Sequence, residues 1–179
     1  MTSSFIVTAV YFAYGSNLLF ARLHARCPSI KSQGTALLQG YRMTFDKPGG
    51  DGSGKCGIEQ GTSDDVVIGV LYSISEEDIP ILDRIEGVGH GYTNAEVVVN
   101  INNSKVNAFT YLPTDMSCRL PPYDWYKGFV LAGAIENNFP KDYLDQIAAI
   151  ESVKDTDDKR RKTNLAIVPD HLGIEISKL

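Results

Sequence analysis

A chain of 179 residues, 43% apolar and 22% charged, has the size and composition of one globular domain with a sizeable core. Its net charge of −5 argues against nucleic acid or an anionic membrane surface as the main partner, since both recruit basic patches, and no apolar run approaches the ~20 residues that span a bilayer. The cysteines (Cys27, Cys56, Cys118) and histidines (His24, His90, His171) are scattered, which favours free thiols in a reducing, cytoplasmic setting over disulfides, zinc or any metal-dependent mechanism.

The start, MTSSFIVTAVYF, lacks a basic segment and a small-residue cleavage site and reads as mature protein. Residues 5–14, rich in Val, Phe and Tyr, predict a buried strand. Ser16 or Asn17 then caps a helix running to about Arg26, with Leu19 and Leu23 one turn apart, and Cys27-Pro28 ends it. Residues 35–46 alternate, Tyr41, Met43 and Phe45 on one side and Arg42, Thr44 and Asp46 on the other, which predicts one half-exposed strand. After a glycine-rich loop, short strands are expected at 57–60 and 66–74. Ser75-Glu76-Glu77-Asp78 resembles a capping box and opens a helix that stops at Gly87, with Pro80 in its first two turns. Residues 91–101 and 105–112 predict a hairpin around Asn102-Asn103-Ser104.

Pro121-Pro122 open a helix to about Asn138, and Pro140 opens another to about Glu151. VKDTDDKRRKT, residues 153–163, reads as a charged linker. The tail beyond it leaves three options open: an added strand, docking on a partner, or loose order. The domain plan is one domain over residues 1–155, with linker and tail at 156–179. The fold class is α+β, a small, mainly antiparallel, barrel-like sheet flanked by helices.

GGDGSGKC, residues 49–56, comes close to a phosphate-binding loop and fails at its end. Cys56 stands where a Ser or Thr hydroxyl must hold Mg²⁺, and no helix follows Lys55 to face a phosphate. A glycine-rich surface or lid loop is the reading it supports, with Lys55 at a pocket rim as the remaining functional use.

Two other segments carry chemistry. On the helix ending at Gly87, Ile79, Leu82 and Glu86 share a stripe, and with Ile81 and Ile85 they form a broad apolar face from which Glu86 projects. A carboxylate buried there needs a hydrogen bond or a countercharge, or it shifts toward neutrality. Such a group suits acid/base work. The other reading is that Glu86 lies in a frayed last turn and points to water. Asp83 and Arg84 are structural in either case. The second segment is Tyr14-Gly15-Ser16-Asn17, between a strand and a helix. It is either a plain capped turn or a carboxylate site, in which outward N–H groups, a close-approach glycine and two polar side chains face the ligand.

YFAYGSNL at 11–18, followed by Arg22 and by LDRIEG at 82–87, resembles the γ-glutamylcyclotransferase family. FTYLP at 109–113, YKG at 126–128 and AIE at 149–151 follow in the family's order, so the resemblance covers roughly residues 9–151. The glycine-rich loop and the tail depart from it. The resemblance implies a barrel-like α+β fold with its pocket at the first strand-to-helix turn. It implies conversion of a γ-glutamyl compound to 5-oxoproline with release of an amino acid or amine, and no cofactor or metal. Glu86 takes the catalytic glutamate's place. Tyr11, Phe12, Ala13, Tyr14, Gly15, Ser16, Asn17 and Leu18 would hold the γ-glutamyl group, and Tyr111 and Tyr126 match pocket tyrosines. Tyr92 and Tyr123 are nearby candidates with weaker claims, packing being the favoured reading of both. The expected partner is the small-molecule substrate, with a homodimer left open.

Overall fold

The computed structural model describes residues 8–174. The first strand, β1, spans Thr8–Ala13, so residues 5–7 of the expected strand lie outside the described residues. With β2 (Lys31–Gln39), β5 (Val66–Ser75), β6 (Tyr92–Ile101) and β7 (Ser104–Pro113) it closes a five-stranded barrel in the order β1-β5-β2-β6-β7. Neighbours are antiparallel except at the seam, where β1 and β7 run parallel through one pair, Tyr11 with Phe109. Across that short seam the Thr110 hydroxyl donates to the Phe12 carbonyl at 2.8 Å. The β6–β7 turn is Asn102-Asn103, with φ of 48° and 62°. Positive φ at both central residues matches the right-handed twist of the flanking strands.

The run at 35–46 is two strands rather than one. Gly40, at φ +78°, turns the chain out of the barrel, and the corner is held by Gly40 N–H to Asp65 C=O (2.8 Å) and Gly61 N–H to Gly40 C=O (2.9 Å). Beyond it β3 (Tyr41–Pro48) pairs with β4 (Gly54–Gln60) as a separate hairpin. The glycine-rich segment between them is its turn, where the Lys55 ammonium binds the Asp51 carboxylate at 2.7 Å.

The expected helix after the first strand has two parts, a 3₁₀ turn at Ser16–Leu18 and α1 at Phe20–Arg26. Leu19 is the N-cap of α1 and makes no side-chain capping bond, so neither Ser16 nor Asn17 serves that role. Leu19 and Leu23 are fully buried. The second helix, α2, spans Ile79–Glu86 with Pro80 in its first turn and ends at Gly87. Its apolar face is narrower than the sequence suggests: Leu82 is fully buried, but Ile81 and Ile85 are 39% and 43% exposed. Both lie about 60–100° around the axis from Leu82, beyond the strip that meets the barrel.

The third helix, α3 (Asp124–Glu136), is buried along nearly its whole length. That is the state expected of a helix apolar on all sides. It presses on the 3₁₀ turn, and Gly133 makes this possible. A Cβ there would fall 2.4 Å from both Leu18 Cβ and Leu19 N.

Two more helices follow, α4 (Lys141–Ala149) and α5 (Asp158–Leu165). The stretch read as a charged linker therefore contains a helix, capped by the Asp157 side chain, which accepts from Arg160 N–H at 2.9 Å. Both of its arginines are paired. Arg160 grips the fully buried Asp155 through Nε and Nη2, both at 2.6 Å, and Arg161 binds Asp124 on α3 at 2.7 Å. The tail runs on through Leu165, Ile167 and Val168, which pack on the core, rather than as a strand, and residues 175–179 lie outside the described residues. No helix among the described residues is long and apolar enough to cross a membrane.

Candidate active site

The end of β1, the 3₁₀ turn, the end of α2, the hairpin strand β4 and the start of α3 meet at one end of the barrel. They enclose a small recess, partly open to solvent. Tyr11, Tyr14, Gly15, Ser16, Asn17, Glu86, Tyr111 and Tyr126, all expected from the sequence, line it. Phe12, Ala13 and Leu18 do not. Each is fully buried, with its side chain in the core. Lys55 is not among the lining residues either, being held by Asp51.

Glu86 is partly buried, its side chain 16% exposed, and it has both kinds of partner that a carboxylate there requires. The Asn17 amide donates from Nδ2 to Glu86 Oε1 at 2.9 Å. Arg26 Nη1 lies 3.5 Å from the same oxygen and donates to Asn17 Oδ1 at 3.0 Å. Arginine only donates, so this contact fixes which end of the Asn17 amide is oxygen and aims Nδ2 at Glu86. The same Nδ2 also reaches the Tyr11 hydroxyl at 3.1 Å. Both protein donors to Glu86 converge on Oε1, and no hydrogen bond to Oε2 occurs among the described residues. Asn17 is therefore a bridge between the turn and the acid.

The walls are aromatic. Tyr11 stacks on Phe109 at 5.2 Å and meets the edge of Tyr111 at 5.6 Å. Tyr14 donates to the Tyr111 carbonyl at 2.5 Å, and the Tyr111 hydroxyl donates to Asp83 at 2.6 Å. Asp83 is structural, as expected: it holds a wall residue. Burial pushes the phenols of Tyr11, Tyr14, Tyr92, Tyr111 and Tyr126 upward, and the negative charge of Glu86 adds to the effect on each. All five stay neutral hydrogen-bonding groups at ordinary pH. Arg22 lies behind this wall, its guanidinium 4.3 Å from the centre of the Phe129 ring, with Nε buried and unpartnered among the described residues. Burial, and then the charge of Arg26, lower its pKa to about 10.

Of two further lining residues, sequence reasoning held Tyr92 as a weak candidate and missed Cys56. Tyr92 reads as packing, yet it lines the recess and donates to the Cys56 carbonyl at 2.8 Å. A signal existed. In the hairpin register Tyr92 faces Pro113 and Asn94 faces Tyr111, so Tyr92 and Tyr111 share a face of the sheet. Cys56 offers no such signal, because its backbone does the work: its N–H donates to the Tyr126 hydroxyl at 3.1 Å while its carbonyl receives Tyr92. Tyr123 donates instead to the Asp51 carbonyl at 3.3 Å, away from the recess. Among the described residues no group of three or more His, Cys, Asp or Glu is placed to hold a metal ion.

The arrangement offers one carboxylate oxygen to a ligand, a turn of small residues beside it, and neutral phenols around it. That suits a small polar molecule held in a folded shape while a proton moves. Comparison with known proteins points the same way. Residues 66–147 match the model of the AIG2-like family. The chain is 36% identical over 151 residues to a γ-glutamylcyclotransferase of Mus musculus, covering 80% of this chain and 79% of that one. It is 35% identical over 149 residues to a γ-glutamylcyclotransferase of Bos taurus, covering 79% and 78%. A solved structure described as a γ-glutamyl cyclotransferase superposes with a TM-score of 0.78 at 30% identity, over 97% of this chain and 100% of that one.

Proposed function

This chain belongs to the γ-glutamylcyclotransferase family, and from that premise we propose that it converts a γ-glutamyl compound to 5-oxoproline, with release of an amino acid or amine and with Glu86 as the acid/base group. The observation that carries the assignment of Glu86 is its contact with Asn17, across 69 residues of sequence, inside the recess.

The substrate brings its own nucleophile. Its α-ammonium gives a proton to Glu86 Oε2, and the free amine attacks the γ-carbonyl carbon. A C–N bond forms, and the carbonyl oxygen becomes an oxyanion. Glu86 returns that proton to the departing nitrogen and takes the second proton that the ring nitrogen must lose. The oxyanion collapses as the old C–N bond breaks, and the second proton passes to the freed amine, which leaves as an ammonium beside the lactam. What the protein supplies is mainly position, since the chain of the γ-glutamyl group must be folded back on itself. The turn Tyr14–Asn17 takes the α-carboxylate end, and Tyr11, Tyr111 and Tyr126 close around the ring as it forms. Fixed donors beside the carbonyl steady the oxyanion. We place the reaction in the cytoplasm, in keeping with three free thiols.

The test is release of 5-oxoproline from a panel of γ-glutamyl dipeptides and γ-glutamyl amines. Release from at least one member is expected. A folded protein that releases none, and that fails to bind 5-oxoproline, refutes the reading.

A further inference from the structure

Arginine and lysine side chains surround the recess, and two are already committed to carboxylates. Arg26 holds Asn17 and Glu86. Lys55 is paired with Asp51 at 2.7 Å. Arg22 has no anion either, but it lies behind the aromatic wall, against Phe129 on α3. Lys47 differs. It lies on β3, in the hairpin whose second strand carries Cys56. Its ammonium stands 4.8 Å from the centre of the Tyr92 ring, a wall of the recess. A Cβ placed on Gly91 would lie 3.1 Å from Lys47 Nζ and 3.3 Å from the Glu86 carbonyl oxygen. The ammonium therefore sits over the loop that leaves Glu86, beside the wall that Tyr92 forms.

Lys47 is half-buried and forms no ion pair or side-chain hydrogen bond among the described residues. The charges acting on it are those of Glu86, Asp51 and Asp115. A partly desolvated cation with no anion of its own is suited to an anionic group of a ligand. The proposed reaction supplies one. The scissile nitrogen must face Glu86, which protonates it. Whatever that nitrogen carries extends away from the turn, toward the loop at 87–91 and Lys47. In an amino-acid leaving group a carboxylate lies one carbon beyond the nitrogen. Without a cation there, that carboxylate would face the charge of Glu86 unscreened.

We propose that Lys47 receives the carboxylate of the departing amino acid, and so makes the site prefer γ-glutamyl amino acids to γ-glutamyl amines of the same size. The inference rests on the reaction assigned above and adds a choice of leaving group to it.

The matched pair is γ-glutamyl-alanine and γ-glutamyl-ethylamide, which differ by that carboxylate alone. The ratio of their kcat/KM values is measured in wild type, Lys47→Met and Lys47→Arg, with the Tm of each recorded. Wild type should favour the alanine compound. Lys47→Met should lower the ratio about tenfold, chiefly through KM of the alanine compound, the size of one charge-assisted contact. Lys47→Arg should keep it within a few-fold of wild type. Added salt should lower the ratio in wild type and not in Lys47→Met. Lys105→Met, at the exposed β6–β7 turn, should leave it unchanged. An unchanged ratio in a folded Lys47→Met protein overturns the proposal while the reaction stands. If wild type turns over neither compound nor any other member of the panel, the reaction itself falls, and the role of Lys47 with it.

Discussion

Replacing Glu86 by glutamine removes one charge and little else. The amide oxygen of the substituted side chain can still accept from Asn17 Nδ2, which lies 2.9 Å from Oε1 in the native protein. The Arg26 contact is long, at 3.5 Å, between side chains that are 21% and 16% exposed. Losing it costs about 1 kcal/mol or less, which for a chain of this size moves Tm by about 2–4 °C. Turnover should respond very differently. In the proposed mechanism the same carboxylate takes a proton from the attacking amine and gives one to the departing nitrogen, and a positioned acid/base group accounts for roughly 10²–10⁴ in rate. Glu86→Gln should therefore lose two to four orders of magnitude in kcat for 5-oxoproline release, with a melting curve almost superimposable on wild type. Activity within a few-fold of wild type would remove Glu86 from the mechanism. A fall in Tm of about 10 °C or more would refute the premise that glutamine fits the site.

Asn17→Ala deprives Glu86 of its aimed donor and Arg26 of its acceptor, so kcat should drop roughly 10–100-fold. In the double variant with Glu86→Gln the rate should be no lower than in Glu86→Gln alone, because the two side chains act as one unit; additive losses would separate them. Gly133→Ala puts a methyl group 2.4 Å from Leu18 Cβ and Leu19 N. It should cost about 1–3 kcal/mol and lower kcat with it, and an unchanged Tm would show that α3 does not brace the turn. The Asp155 carboxyl is held well below the usual range, chiefly by hydrogen bonds from Arg160. A lowered folded-state pKa means stability that is present above the unfolded value, near 4, and lost as pH falls further. Tm should thus drop progressively as pH falls below about 4, and Asp155→Asn should be less stable at neutral pH with a flatter acid limb.

The sequence displays the parts of the site that are local and hides those made by long-range pairing. Strand, turn and helix around Tyr14–Asn17 lie within a few residues of each other, and the stripe that carries Glu86 is a matter of helical spacing. Asn17 shows the limit. Its type and place suit an N-cap equally well, and only the fold shows that Leu19 caps α1 while Asn17 reaches Glu86, 69 residues away. The charged run at 153–163 fails for a similar reason. Residues that look solvated are paired with Asp124 and with buried Asp155. Asp124 lies 37 residues from its arginine, beyond any pattern of local spacing. The break at Gly40 was hidden because the alternation of side chains continues through it while the backbone changes sheet.

The thinness of the signature follows from the chemistry. An enzyme that must supply a nucleophile needs a serine, cysteine or lysine with an activating base, and such sets are conspicuous. Here the attacking amine arrives with the substrate, so the protein needs shape, one proton carrier and groups that keep that carrier aimed. Shape comes from five phenols kept neutral by burial and from the backbone of Gly15 and Cys56, none of which stands out in composition. Aim comes from Arg26 acting through Asn17 on one oxygen of Glu86, which leaves the other for substrate. The order of that relay matters. Arg26 makes its shorter contact to Asn17, at 3.0 Å, and its longer one to Glu86, at 3.5 Å, so it orients the carboxylate chiefly through a neutral amide.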